Sequence, residues 1–238
     1  MHVQEVSDGF SMEQIVPYFQ PIIDVKTQRV WCYECLARLM YDADRTFLPS
    51  DFLYLVDKAQ CNSELMQHIF HQAAEYFRFH QVNWGVNITA DDICNPATIH
   101  FLKSFLHDYP NAHRVTLEVQ ASTVFDYIDE FRAFMLVCKA LDIQLIIDNF
   151  GGLASNIPTI LAFPVDGIKI DSKLITDLAA NDKCKHKLTS ALDTAAKNDV
   201  AIIAEHIEDE QTWRSVSNLP IQYGQGFYIS HPAQNVTQ

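Results

Sequence analysis

One unit recurs along this chain: a short apolar run closing on a polar side chain, then a stretch of helix formers. Val82 to Ile88 (VNWGVNI) reads as a strand, with a helix expected from about Pro96 to His107. Arg114 to Val119 (RVTLEV) is followed by a helix from about Phe125 to Leu141, and Ile143 to Ile147 (IQLII) by a short helix after Ile157. Val165 to Ile170 (VDGIKI) leads to a helix from about Lys183 to Asn198, and Val200 to Ala204 (VAIIA) to one near Glu210 to Asn218. Tyr223 to Ile229 closes the pattern. Upstream, Ser11 to Tyr18 reads as a lead-in. Gln20 to Asp24 is a first strand paired with Arg29 to Cys35, and Ser63 to His80 is a helix. Strands this uniformly apolar are buried on both faces, as parallel strands are. Repeated βα units of this kind predict an α/β fold: a TIM-type (β/α)8 barrel, or failing that a doubly wound sheet.

The polar residues closing these runs are Glu34, Asn87, Glu118, Asp148, Lys169, Glu205 and Gln225. In a barrel the strand ends converge on one face, where active sites are built. Carboxylates cannot gather there in ionised form without cations between them. Hard oxygen donors of this kind suit Mg²⁺ or Mn²⁺. The plainer alternative is that the strands are misplaced and these acids sit on surface loops. Glycine favours the first reading: of only 7 glycines, four fall at Gly151-Gly152 and around Gln225 at Gly224 and Gly226. Glycine permits tight turns and close approach of backbone to ligand.

Charge narrows the partners. With 17 Lys+Arg against 30 Asp+Glu, the net charge is −13, which argues against a basic groove for a nucleic acid polymer or a polybasic membrane patch. No apolar run approaches the roughly 20 residues that cross a bilayer. There is no basic-then-apolar leader, and the scattered cysteines, with one CxxC at Cys32 and Cys35, read as structural thiols in a reduced cytoplasmic compartment. His68 and His71, three apart on one predicted helix, read as packing or solvated residues, because no acid or cysteine joins them. Without a linker or low-complexity segment, residues 1–238 read as a single domain.

In order along the chain stand Gln20-Pro21-Ile22-Ile23, Glu34-Cys35-Leu36-Ala37-Arg38, Val86-Asn87-Ile88-Thr89 and Leu117-Glu118-Val119. They are followed by Ile147-Asp148-Asn149-Phe150-Gly151, Val165 to Asp171, Ala204-Glu205-His206-Ile207-Glu208, and Gln225-Gly226-Phe227-Tyr228 with Pro232. This series resembles the EAL domain family of cyclic di-GMP phosphodiesterases, over about residues 18–232. The resemblance implies a modified TIM barrel that opens one phosphodiester of cyclic di-GMP to give linear pGpG. It implies one Mg²⁺ or Mn²⁺ ion on Glu34, Asn87, Glu118 and Asp148, with a second near Asp148, Asn149, Asp171 and Glu205. Two such ions can activate a water and stabilise in-line displacement at phosphorus. Lys169 would stand beside that water, Gln225 would help order it, and Gln20, Arg38 and Gln225 would meet the substrate. Glu208 would hold the site's geometry from outside the ligand set.

The chain departs from the family pattern in one region. Asn149 replaces the second acid of the DDFG motif, and Ala121 stands where a loop-anchoring glutamate is expected. The loop after Gly151 is altered, and His206 takes the place of a motif glycine. Two classes therefore stay open: a slow or metal-demanding phosphodiesterase, and an inactive relative that binds cyclic di-GMP or a regulatory protein partner. A homodimer also stays open.

Overall fold

The computed structural model describes residues 11–41, 45–149, 161 and 163–236. Strand β1 (Ile15–Asp24) turns back onto β2 (Val30–Met40) as an antiparallel hairpin that sets Gln20 opposite Glu34. The Asp24 carboxylate stabilises the turn by accepting the N–H groups of Lys26 and Thr27 at 2.9 and 2.7 Å. Strands β4 (Asn83–Ile88), β5 (Val115–Gln120), β6 (Gln144–Asp148), β7 (Gly167–Asp171), β8 (Ala201–Glu205) and β9 (Tyr223–Gly224) then follow in parallel from β2. β9 meets β1 antiparallel, so the sheet closes on itself as an eight-stranded barrel. The short β3 (Thr46–Phe47) lies outside the ring, on the overhanging end of β2. This is the expected TIM-like barrel, modified by a first strand that runs against both neighbours.

The helices cover the outside. Their core joins Phe52, Phe70, Ala73 and Phe77 to outward-facing strand residues such as Tyr33, Trp84, Leu117 and Ile168. Each large side chain fully buried here contributes about 1.5–3 kcal/mol. The inside is layered by the two-residue period of a strand. Ile22, Cys32, Ile146 and Ile203 form a separate apolar cluster, flanked by Trp31 stacked on Tyr223 at 4.1 Å. Cys32, Ile146 and Ile203 each precede an acid by two positions, namely Glu34, Asp148 and Glu205. Ile22 follows Gln20 by two on the reversed strand. An apolar layer therefore fills the barrel directly beneath the polar residues.

The cysteine pair divides as a strand requires. Cys32 points into the barrel cluster and Cys35 into the outer core. Burial pushes both thiols far above their ordinary range, so neither is a thiolate nucleophile.

Some elements differ from the sequence reading. The lead-in is part of β1 from Ile15 onward. The helix expected from Phe125 to Leu141 is two, Ala121–Asp126 and Ile128–Ala140, parted at Tyr127, whose backbone is not helical. Helices Pro49–Ala59, Ala90–Cys94 and Ser172–Ala180 were not anticipated. The closing strand is only Tyr223–Gly224, because the chain then turns so that Gly226 O accepts the N–H groups of Ile229 and Ser230. The helix expected after Ile157 lies outside the described residues. Among the described residues, no helix is long and apolar enough to cross a membrane.

Candidate active site

Lys169 is the centre of the polar layer. It points into the barrel from β7 with only 1% of its side chain exposed. Its ammonium lies 2.7 Å from Glu34 Oε2 and 2.5 Å from Glu118 Oε2. Small residues on the neighbouring strands make room for these long side chains. A Cβ on Gly85 would stand 3.0 Å from Glu118 Oε1 and 3.1 Å from Thr116 Cβ.

Glu34 is the best-satisfied acid. Asn87 Nδ2 donates to its Oε1 at 2.8 Å, and Gln225 Nε2 donates to its Oε2 at 2.7 Å. The same Gln225 amide reaches Gln20 Oε1 at 3.2 Å, and Gln20 Nε2 donates to Ser230 O at 3.0 Å. Gln225 is held in turn by its backbone, where Ile207 N–H donates to Gln225 O and Gln225 N–H donates to Ala204 O. Gly226 is required there, because a Cβ on it would come within 2.1 Å of Ile207 O.

The other acids are less well provided for. Glu118 Oε1, Asp148 Oδ1, Glu205 Oε1 and Gln225 Oε1 are buried without a hydrogen-bond partner. Burial, reinforced by Glu34, pushes the Glu118 carboxyl up to about 8 against the partial relief of Lys169. Burial and the adjoining Asp148 carboxylate likewise push Glu205 up to about 8. Burial acts on Glu34 too, yet Lys169 and the donated hydrogen bonds hold its carboxyl below the usual value. Burial pulls the Lys169 pKa down, but Glu118, Glu34, Asp148 and Glu205 together drive it well above normal. Four carboxylates thus face one ammonium.

A cavity of about 310 Å³ opens over this layer. Its walls include Gln20, Glu34, Arg38, Asp148, Asn149, Glu205, His206, Glu208, Gln225 and Phe227. Arg38 is half-buried, with Nη1 donating to Ala37 O at 2.8 Å. Glu208 and Asn149 are exposed at the rim. Asp171 is paired with Glu205 across β7 and β8, but its oxygens are engaged. Oδ1 accepts the N–H groups of Lys173 and Leu174 at 2.8 and 3.2 Å, and Oδ2 lies 3.1 Å from His206 Nδ1. The residues singled out from sequence therefore gather at one end of the barrel, with Glu118 and Lys169 beneath the cavity floor. Gly85 and the His206–Asp171 contact were not foreseen. The two-residue offset between Gly85 and Asn87 was the available signal for the first.

The donor chemistry fits a hard divalent cation, since buried carboxylate and amide oxygens without partners surround the site. Among the described residues, no three His, Cys, Asp or Glu side chains already stand around one point as ligands. The Lys169 ammonium stands between Glu34 and Glu118 and draws both acids to itself. His68 behaves as a packing residue: its Nε2 meets Ile15 O at 2.9 Å and Gln72 Nε2 at 2.6 Å. His71 packs edge-on against Phe105.

The closed barrel, its reversed first strand, and the acid-amide-lysine layer at its mouth define a modified TIM-like barrel with an acid-rich binding end. More particularly, the chain belongs to the EAL domain family, whose model matches residues 3–232. It is 25% identical over 238 residues to the probable cyclic di-GMP phosphodiesterase PdeN of Escherichia coli (strain K12), covering 96% of this chain and 45% of that protein. The chain thus spans less than half of that relative. The Xanthomonas citri FimX EAL domain, solved in complex with c-diGMP, superposes with a TM-score of 0.83 at 18% identity, covering 99% of this chain and 94% of that one. The Bacillus subtilis YkuI protein, solved with c-di-GMP and calcium, superposes with a TM-score of 0.83 at 21% identity, covering 99% and 58%. At these identities the structural likeness is one of fold.

Proposed function

We propose that this chain hydrolyses one phosphodiester bond of cyclic di-GMP, releasing linear pGpG, with Mg²⁺ or Mn²⁺ held at the barrel mouth. The observation that carries the reading is the set of buried oxygens without a hydrogen-bond donor on Asp148, Glu205 and Gln225 in the wall of a cavity that also presents Arg38, with Glu118 beneath it. Glu34, Asn87, Glu118 and Asp148 would hold one cation. Asp148, Asn149 and Glu205, with Asp171 beside them, would hold the other. When bound, such ions lower the pKa of a coordinated water and neutralise charge on the phosphate oxygens.

The chain's own side chains supply the rest. The Arg38 guanidinium suits two-point contact with a phosphate and fixes the scissile group. In the metal-free chain the acids around Lys169 raise its pKa well above normal, which favours the charged ammonium. It therefore serves as a fixed positive charge and donor, not as a base. Gln225 commits its Nε2 to Glu34 and Gln20, which leaves Oε1 as the acceptor that orients the attacking water. The water oxygen bonds to phosphorus and gives up a proton, the bond from phosphorus to the 3′ oxygen breaks, and that oxygen takes up a proton and leaves as a hydroxyl.

A second reading, binding without turnover, draws on Asn149, a neutral amide at the cavity wall where a carboxylate would attract a cation more strongly. Purified chain incubated with cyclic di-GMP in Mg²⁺ and in Mn²⁺, followed by chromatography, separates the two. The first reading expects pGpG from the parent and none from Glu34→Ala. Ligand binding by calorimetry with no product in either metal would establish the second.

A further inference from the structure

We propose that the His206 imidazole supplies the donor that Asn149 lacks, presenting Nε2 as a nitrogen ligand to the second divalent cation beside Asp148 and Glu205. The inference rests on the two-cation reading of the site and extends its ligand set. His206 lines the same cavity as Asp148, Asn149 and Glu205, and it follows Glu205 directly in the chain. Its ring is held from behind. Nδ1 lies 3.1 Å from Asp171 Oδ2, and the other Asp171 oxygen is fixed by two backbone N–H groups at the start of the helix Ser172–Ala180. With Nδ1–H donated to that carboxylate, the Nε2 lone pair is free to coordinate, and it has no partner among the described residues. A carboxylate on the far nitrogen is the usual support of a metal-bound histidine, where it sets the tautomer and the ring orientation.

Two further observations point the same way. Asp148 Oδ1 and Glu205 Oε1 are buried without a donor, Glu205 is only 8% exposed, and both residues line the same cavity as His206. The His206 backbone also has φ of 57°, a left-handed conformation that glycine adopts more freely, while the side chain remains at the rim instead of packing into the core. Imidazole suits transition metals such as Zn²⁺, Fe²⁺ and Ni²⁺ while Mg²⁺ keeps to oxygen donors, so this site should discriminate against Mg²⁺ more than an all-oxygen set would.

The test counts Mn²⁺ ions bound to the full chain and looks for nitrogen coupling to them by pulsed electron paramagnetic resonance. The parent should bind two ions, one of them coupled to a nitrogen. His206→Gly, which suits the local backbone, should lose the coupling and bind its second ion about tenfold more weakly. Asp171→Asn should keep the coupling and weaken that ion by about 10–100-fold. The double variant His206→Gly with Asn149→Asp should regain the second ion without nitrogen coupling. Two bound ions with no coupling in the parent, or coupling that survives His206→Gly, would overturn the inference and leave the two-cation reading standing. A parent that binds no Mn²⁺ would overturn both.

Discussion

Lys169 ties Glu34 to Glu118 in a place where neither acid has water to fall back on. Removing one partner from a buried ionic network leaves the others uncompensated, at a cost of about 3–5 kcal/mol. Lys169→Met should therefore lower the unfolding free energy of the metal-free chain by about that amount. Mn²⁺ should restore part of it, since a cation can take over the space between the acids. Denaturant titrations with and without Mn²⁺ check this; an unchanged metal-free midpoint would mean the ammonium does not hold the two acids. The acids of the polar layer were legible because Glu118, Asp148 and Glu205 each stand at or near the end of an apolar strand run. His206 was legible only as a departure from a motif. Its contact with Asp171 depends on a left-handed backbone at φ 57°, which the sequence does not display.

Strand period explains how short elements hold such a site. Cys32 with Glu34, Ile146 with Asp148 and Ile203 with Glu205 repeat one apolar-then-acid step, so each acid rests on the apolar layer that excludes water from below. Gly85 belongs to the same lower layer, two residues before Asn87, and its missing side chain is the space Glu118 uses. Gly85→Ala should cost about 1–3 kcal/mol of stability through overpacking and should also reduce turnover. Melting temperature and pGpG production together check it; loss of neither would place Glu118 away from Gly85. Element order was readable because apolar β runs and helix formers differ in period. The break at Tyr127 and the helix Ala90–Cys94 were not, since one turn sets them locally: Thr89 caps Ala90–Cys94 through Asp92. Such short helices carry too little periodicity to stand out.

At the scale of the molecule, the net charge of −13 and the acid-rich mouth are parts of one problem. Burial raises the Glu118 and Glu205 carboxyls in the folded, metal-free chain from the ordinary 4.5 toward about 8. Between those values the folded state binds more protons than the unfolded one, so these groups make stability fall as pH rises across that window. Metal-free melting temperatures should decline from about pH 5 to pH 8 on this account. The stabilisation added by Mn²⁺ should grow over the same range as the protons are displaced. A Mn²⁺ effect that is constant with pH would separate these acids from the metal. On the proposed reading, cations let this acidic chain hold a phosphodiester, and its central claim is that a water so activated attacks phosphorus. Turnover of cyclic di-GMP in ¹⁸O-labelled water with Mn²⁺ tests it most directly. The account predicts pGpG carrying one ¹⁸O in its terminal phosphate; unlabelled pGpG, or bound and unchanged cyclic di-GMP, would contradict it.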